Sequence, residues 1–274
     1  SAVAAAAAKP VVVVMLTATP LDISAILNNP RVGAVLHAGV PAVAAIGLSP
    51  LLYGLVSPAG RLVQTVYPAS FATQLSIFDM NMRPGPSKWP APGCTNPDRS
   101  KCPMGTNPGR THRFYTGTPV LPFGFGLSFS TFAYEIVSAP DLRTISLAPL
   151  REMLARNEKL ERTFAAAADN VAATQYAVKV TNTGTMKADD VVLGFLSPPS
   201  AAGVPIQSLF AFERVSLAPK ESKIVWLYPA LSDFAQVDGA GRRYALSGEY
   251  AVRFGVRETS SHGMGFAEQA LLAV

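Results

Sequence analysis

Glutamate is missing from the first 134 residues; the first in the chain is Glu135. Over that stretch the acids are Asp22, Asp79 and Asp98 alone, set against nine Lys/Arg, for a net charge of +6. The remaining residues hold fourteen Lys/Arg against fifteen acids, a net of −1. One half is therefore basic and nearly free of carboxylates, and the other is balanced. Long apolar runs are also missing. No stretch of about 18 uncharged apolar residues occurs, so no membrane-spanning helix is expected. The opening SAVAAAAAKPVVVVMLT is split by Lys9 and Pro10 and lacks the basic start and cleavage site of a signal peptide. It reads as the end of an Ala-rich helix running into a buried strand, and Ser1 in place of Met points to a chain that begins inside a longer precursor. Cysteine is limited to Cys94 and Cys102, with no histidine near enough in sequence for zinc spacing. A disulfide closing a small loop suits CTNPDRSKC; free thiols are the alternative. A disulfide would imply an oxidising compartment. No Asn-x-Ser/Thr acceptor occurs to support secretion independently.

What is present is a globular composition, 49% apolar and 15% charged over 274 residues, which excludes a mainly disordered chain and favours two domains. PVVVVMLT (10–17) and VGAVLHAG (32–39) read as strands buried on both faces. A short helix is expected over Leu21–Leu27, a deeply packed helix or helix pair over 41–56 with a break near Pro50, and a third strand over 62–68. This alternation predicts part of an α/β layer with a parallel sheet, too short for a complete doubly wound domain. Residues 79–122 read as a long loop; between Arg83 and Arg113 there are seven prolines and six basic residues against one acid, Asp98. A charged Ala-rich stretch over 141–168 reads as a linker or surface helix. From 174 the pattern alternates with period two, with turn signals every 10–15 residues, which predicts an antiparallel β-sandwich of about seven strands. The expected division is 1–135, 136–172 and 173–274.

The succession KPVVVV, NNPRVGAVLHAGVPA, SPAGRLVQTVYP and NPGRTHRFYTGTPVLPFGFGLSFSTF resembles the C-terminal half of glycoside hydrolase family 3, in its β-xylosidase and arabinofuranosidase variant. The later segments, from NTGTMKADDVVLGFLSPP to GRRYALSGEYAVRFG, are similar to the fibronectin-type-III-like domain that ends those enzymes. The resemblance implies the rest of an α/β sandwich domain followed by that β-sandwich. The family's N-terminal (β/α)8 barrel, which bears an Asp nucleophile, and the segment with the Glu acid/base lie outside this chain. A retaining glycosidase needs two carboxylates about 5 Å apart. Asp22, Asp79 and Asp98 match no catalytic position of the family, so no catalytic residue is assigned here. The chain also departs from the family. An aromatic is usual where His37 stands, Gly-Tyr-Pro-Gly-Gln where Gly39-Val40-Pro41-Ala42-Val43 stands, and Pro where Val63 stands.

The resemblance implies the C-terminal part of a retaining β-glycosidase, inactive alone, with a barrel part and carbohydrate as partners. The alternative is a non-catalytic structural or binding subunit. Candidate sugar contacts are His37, Arg83, Trp89, Arg110, His112 and Tyr115. Each has a plainer alternative: a satisfied buried histidine at His37, pinning of the loop for Arg83, Arg110, His112 and Tyr115, and an interface plug for Trp89. The glycines of PFGFGLS lack the strand-to-helix setting of a nucleotide loop and read as tight turns. The basic loop lacks the regular presentation and interleaved aromatics of a nucleic-acid surface; an acidic partner domain or an acidic polysaccharide suits it better. No metal or cofactor is expected. The expected location is extracellular or a secretory-pathway or lysosome-like compartment.

Overall fold

The computed structural model describes residues 2–41, 47–139, 144–156, 175–257 and 262–274. Helix α1 (Ala2–Ala6) leads into β1 (Val11–Leu16), and after α2 (Ser24–Leu27) the chain returns as β2 (Val32–Gly39), parallel to β1. Both strands carry the β-branched residues that favour extended backbone. Their burial corrects the expectation of strands enclosed on both faces: no residue of either is fully buried, and Val12, Val14 and Leu16 are exposed. An apolar run records what a strand is suited to pack against, and here the described residues leave that face open.

Of the helix or helix pair expected over 41–56, residues 42–46 lie outside the described residues; α3 (Leu48–Leu52) presents Leu52 to solvent, with Tyr53 and Leu55 beyond it, so deep packing is not seen among the described residues. The expected third strand is also corrected. Residues 62–66 do not extend the parallel pair. They lie antiparallel to 120–125, with Leu62 N–H donating to Phe125 O (2.8 Å) and Val66 N–H to Leu121 O (2.9 Å). Pro119 and Pro122 lack N–H donors, so the ladder reduces to an isolated bridge.

Helix α4 (Ser70–Gln74) precedes the expected loop, which holds more regular structure than its proline content foretold. Strands β3 (Gly85–Pro90) and β4 (Met104–Asn107) form an antiparallel hairpin, and Cys94 and Cys102 in its turn are joined with their Cα atoms 5.9 Å apart. A single helical turn, α5 (Thr111–Phe114), follows.

Strand β5 (Phe132–Ser138) already belongs to the sandwich, pairing with β7 (Tyr176–Asn182). After the short β6 (Thr144–Ile145), helix α6 (Ala148–Ala155) plugs the core with Leu150. Residues 157–174, including Glu158, Lys159, Glu161 and Arg162 of the expected surface helix, lie outside the described residues. The remaining strands are β8 (Ala188–Ser197), β9 (Ser208–Leu217), β10 (Ser222–Leu227), β11 (Ala235–Val237), β12 (Arg243–Ala245), β13 (Gly248–Phe254) and β14 (Ala267–Ala273). Sheet β10-β7-β5 faces sheet β6-β14-β13-β8-β9 across a core built on Tyr176, Val180, Phe210, Tyr250 and Phe254. The described sandwich thus has eight strands, against about seven expected.

Strand β8 explains how the two halves meet. Val192 and Leu196 enter the sandwich core, while Leu193 and Phe195 pack on its other face with Val256 and Phe123. A strand covered on both faces reads as a continuous apolar run, as VVLGFL does. Gly124, with φ +82°, makes the approach possible: a Cβ there would lie 2.7 Å from both Leu193 Cδ1 and Val256 Cγ2.

A buried ion pair locks the same junction. Arg61 donates to Asp190 Oδ1, and both side chains are nearly inaccessible. Tyr134 Oη donates to Asp190 Oδ2 at 2.7 Å and Val191 N–H to Oδ1 at 2.8 Å, completing the carboxylate's partners. Burial, then the Asp190 charge, hold the Tyr134 phenol well above its usual range, so it keeps the proton that it donates to the carboxylate.

Candidate arginine–aromatic site

The segment after β4 is organised by Asn107 and Gly109. Asn107 Oδ1 accepts from Gly109 N–H at 2.8 Å, and its amide donates to Asn81 O at 2.8 Å. Thr111 follows with φ 60°, its N–H held by Tyr67 Oη at 2.6 Å. This places Arg110 over α4: its guanidinium donates to Asp79 O at 2.6 Å and stands 5.9 Å from the Phe71 ring centre. Tyr67 stacks on Phe71 at 4.2 Å, and Tyr115 meets Tyr67 edge-on at 4.9 Å. Burial pushes the Asp79 carboxyl up. Hydrogen bonds from Ser87, Asn81 and Asn107 and the Arg110 charge outweigh it and hold the group below the usual carboxylate range. Arg110 and Tyr115 are thereby brought together, with Tyr67, Phe71 and Asp79, which the sequence reading had not assigned to a site. Tyr67 precedes α4 and Phe71 lies on it, so no regular spacing in the sequence marked the pair.

Arg83 and His112 lie at the junction instead. Arg83 donates through Nε to Gly203 O (2.8 Å) and through Nη2 to Val237 O (2.7 Å), and stands 5.2 Å from the Phe114 ring centre. His112 stacks on Phe123 at 4.2 Å and meets Phe195 edge-on at 6.0 Å. Burial, with the neighbouring Arg113 charge, draws its pKa down to about 4. The unfolded imidazole titrates near about 6.5, so it binds a proton that the folded one refuses. Its contribution to stability is therefore complete above that pH and is lost as pH falls toward 4. His112→Phe is expected to lose less stability than the parent between neutral and acid pH, checked by denaturant midpoints at each pH. Equal losses in both proteins would contradict this assignment.

His37 is exposed near the end of β2, in register with Met15. Trp89 is 45% exposed on β3, with the Phe78 ring 5.5 Å away. The six candidates therefore fall into separate places rather than one constellation.

The three carboxylates of the basic half all serve turns. Asp22 accepts from Ser24 N–H (2.8 Å) and Ala69 N–H (2.7 Å), Asp98 from Ser100 N–H (3.1 Å), and Asp79 from Asn81 N–H (3.0 Å). Among the described residues no three His, Cys, Asp or Glu side chains cluster as a metal site. No helix among them is long and apolar enough to cross a membrane.

Residues 1–129 match the glycosyl hydrolase family 3 C-terminal domain, and residues 190–257 the fibronectin type III-like domain. The beta-xylosidase/alpha-L-arabinofuranosidase 2 of Medicago sativa subsp. varia is 30% identical over 92% of this chain and 31% of its own length. A probable exo-1,4-beta-xylosidase of Aspergillus fumigatus is 33% identical over 92% of this chain and 29% of its own. A family 3 exo-beta-xylosidase solved with a xylobiose aziridine probe superposes with a TM-score of 0.75 at 25% identity, covering 97% of this chain and 31% of that one. This chain thus spans about a third of the length of these relatives. With both domain matches in chain order and the solved relative superposing across the junction, the chain carries the C-terminal domain of glycosyl hydrolase family 3 followed by a fibronectin type III-like domain.

Proposed function

We propose that this chain is the C-terminal part of a retaining β-xylosidase-like hydrolase that removes terminal sugars, its catalytic carboxylates contributed by an N-terminal barrel part. The observation that carries this reading is similarity over 92% of the chain to proteins named as β-xylosidases. The employment of Asp22, Asp79 and Asp98 in turns supports it from the chemistry: a retaining mechanism needs a nucleophile and a proton donor, and the α/β half offers neither. The open faces of β1 and α3 suit a domain that continues in a part beyond these residues. In this reading His37 and Trp89, whose side chains are exposed, are the candidates for sugar contact. Arg83, Arg110, His112 and Tyr115 shape the framework. The sandwich domain is taken to begin near β5, which draws the described part of the linker expected over 136–172 into it through β6 and α6. The Cys94–Cys102 bond supports an extracellular, oxidising location.

The test is turnover of nitrophenyl β-xyloside by the intact protein that carries this chain, with the anomer of the first product followed by NMR. Release of β-xylose is expected from the intact protein, and none from these residues alone. No turnover by the intact protein would leave the second reading, a non-catalytic subunit, which the altered Gly39-Val40-Pro41-Ala42-Val43 sequence favours.

A further inference from the structure

We propose that the groove beside the disulfide-closed turn binds acidic sugars, short oligosaccharides that carry a uronate carboxylate. The groove is open, about 920 Å³, and runs between α4 and the turn joining β3 to β4. Gly93 sets its depth, because a Cβ there would come within 3.2 Å of Thr73 Cβ. Thr73, Thr95 and Asn96 contribute hydroxyl and amide groups to the lining, and Pro97 and Pro103 supply flat apolar walls. Asn96 Oδ1 already accepts from Asp98 N–H at 3.0 Å, which leaves its Nδ2 as a donor. An apolar wall with a few placed polar groups is the pattern of a small-ligand site.

Charge selects the ligand. Arg99 stands at the rim, where Nη1 donates to O of Cys94, a lining residue, at 2.8 Å. Among the described residues its guanidinium has no carboxylate partner, and neither has the exposed Lys88. Asp98, the one acid of the turn, is held by Ser100 and by Lys101 at 3.3 Å. A planar guanidinium with free N–H groups pairs bidentately with a carboxylate, an interaction that a neutral sugar does not offer. The basic excess of this half thus acquires a local use. The three arginines Arg83, Arg110 and Arg113 are engaged with carbonyls and rings, whereas Arg99 is tied to the edge of the groove through the carbonyl of Cys94, which lines it.

The experiment titrates the intact protein with trigalacturonate, xylotriose and triglutamate, following binding by calorimetry. Trigalacturonate is expected to bind about two- to fivefold more tightly than xylotriose, the scale of one exposed charge pair. Salt at about 0.5 M should erase that margin. Arg99→Ala should reduce trigalacturonate to the xylotriose level, while Lys223→Ala, an exposed cation on β10, should leave it unchanged. The proposal is overturned if xylotriose binds equally, if Arg99→Ala changes nothing, or if triglutamate matches trigalacturonate and charge alone is being read. The readout is binding, so a protein without glycosidase activity can still sustain or sink it.

Discussion

Gly109→Ala is expected to cost about 4 kcal/mol or more, enough to leave much of the protein unfolded. Gly109 has φ +85°, and a Cβ there would stand 1.9 Å from Phe114 O and 2.6 Å from its carbonyl carbon. The obstacle is backbone, so no rotamer change relieves it. Moving the Phe114 carbonyl would open the turn that presents Arg110, whose O accepts from Phe114 N–H at 3.2 Å, and would disturb the Tyr67–Thr111 bond. Gly60→Ala is the control. Nothing lies within 4 Å of its Cβ position and its φ is not positive, so its cost should stay within about 0.5 kcal/mol. Denaturant unfolding of the two variants beside the parent checks both. A Gly109→Ala protein within about 1 kcal/mol of the parent would show that the turn after β4 is not built as described.

Asp190→Ala carries the second large effect, about 3–5 kcal/mol, because it strands the Arg61 charge in a buried site. The Tyr134 hydroxyl loses its acceptor at the same time. Replacing Arg61 by Met together with Asp190 by Leu should cost less than Asp190→Ala alone, since both charges then leave the interior. If the two changes are instead additive, the pair is not coupled. The chain's two tryptophans report separately, Trp89 from the hairpin and Trp226 from β10. In Asp190→Ala, single-tryptophan variants should show the two halves melting apart, where the parent shows coincident transitions.

The sandwich strands were legible because each sheet buries one face, which writes an alternation into TQYAVKVTNTG and GEYAVRFGV. The parallel pair β1–β2 was legible for the same local reason, but its burial was not. Val12 and Val14 are suited to a cover that no residue near them in sequence can supply. Segment 62–66 misled because its partner, 120–125, lies nearly sixty residues onward and is broken by prolines. The hairpin 85–107 was obscured because Pro, Gly and Cys dominate its composition while its pairing is fixed by a covalent bond in the turn. At the candidate site the residue types were visible and their destinations were not. Arg83 and Arg110 belong to one basic stretch, yet one reaches the carbonyls of Gly203 and Val237 and the other that of Asp79.

Arg61 and Asp190 are 129 residues apart, a separation that sets a timetable during synthesis. At about 5–20 residues per second, the ribosome makes the arginine on the order of 10 s before its carboxylate exists. Once made, His112 and Phe123 have no Phe195 to pack against until the chain reaches that residue. The basic half leaves the exit tunnel with an unmatched guanidinium and with aromatic rings that lack their later partner. Ribosome-bound chains halted before residue 190 are accordingly expected to be cut by protease between 110 and 125, and chains released at full length to resist.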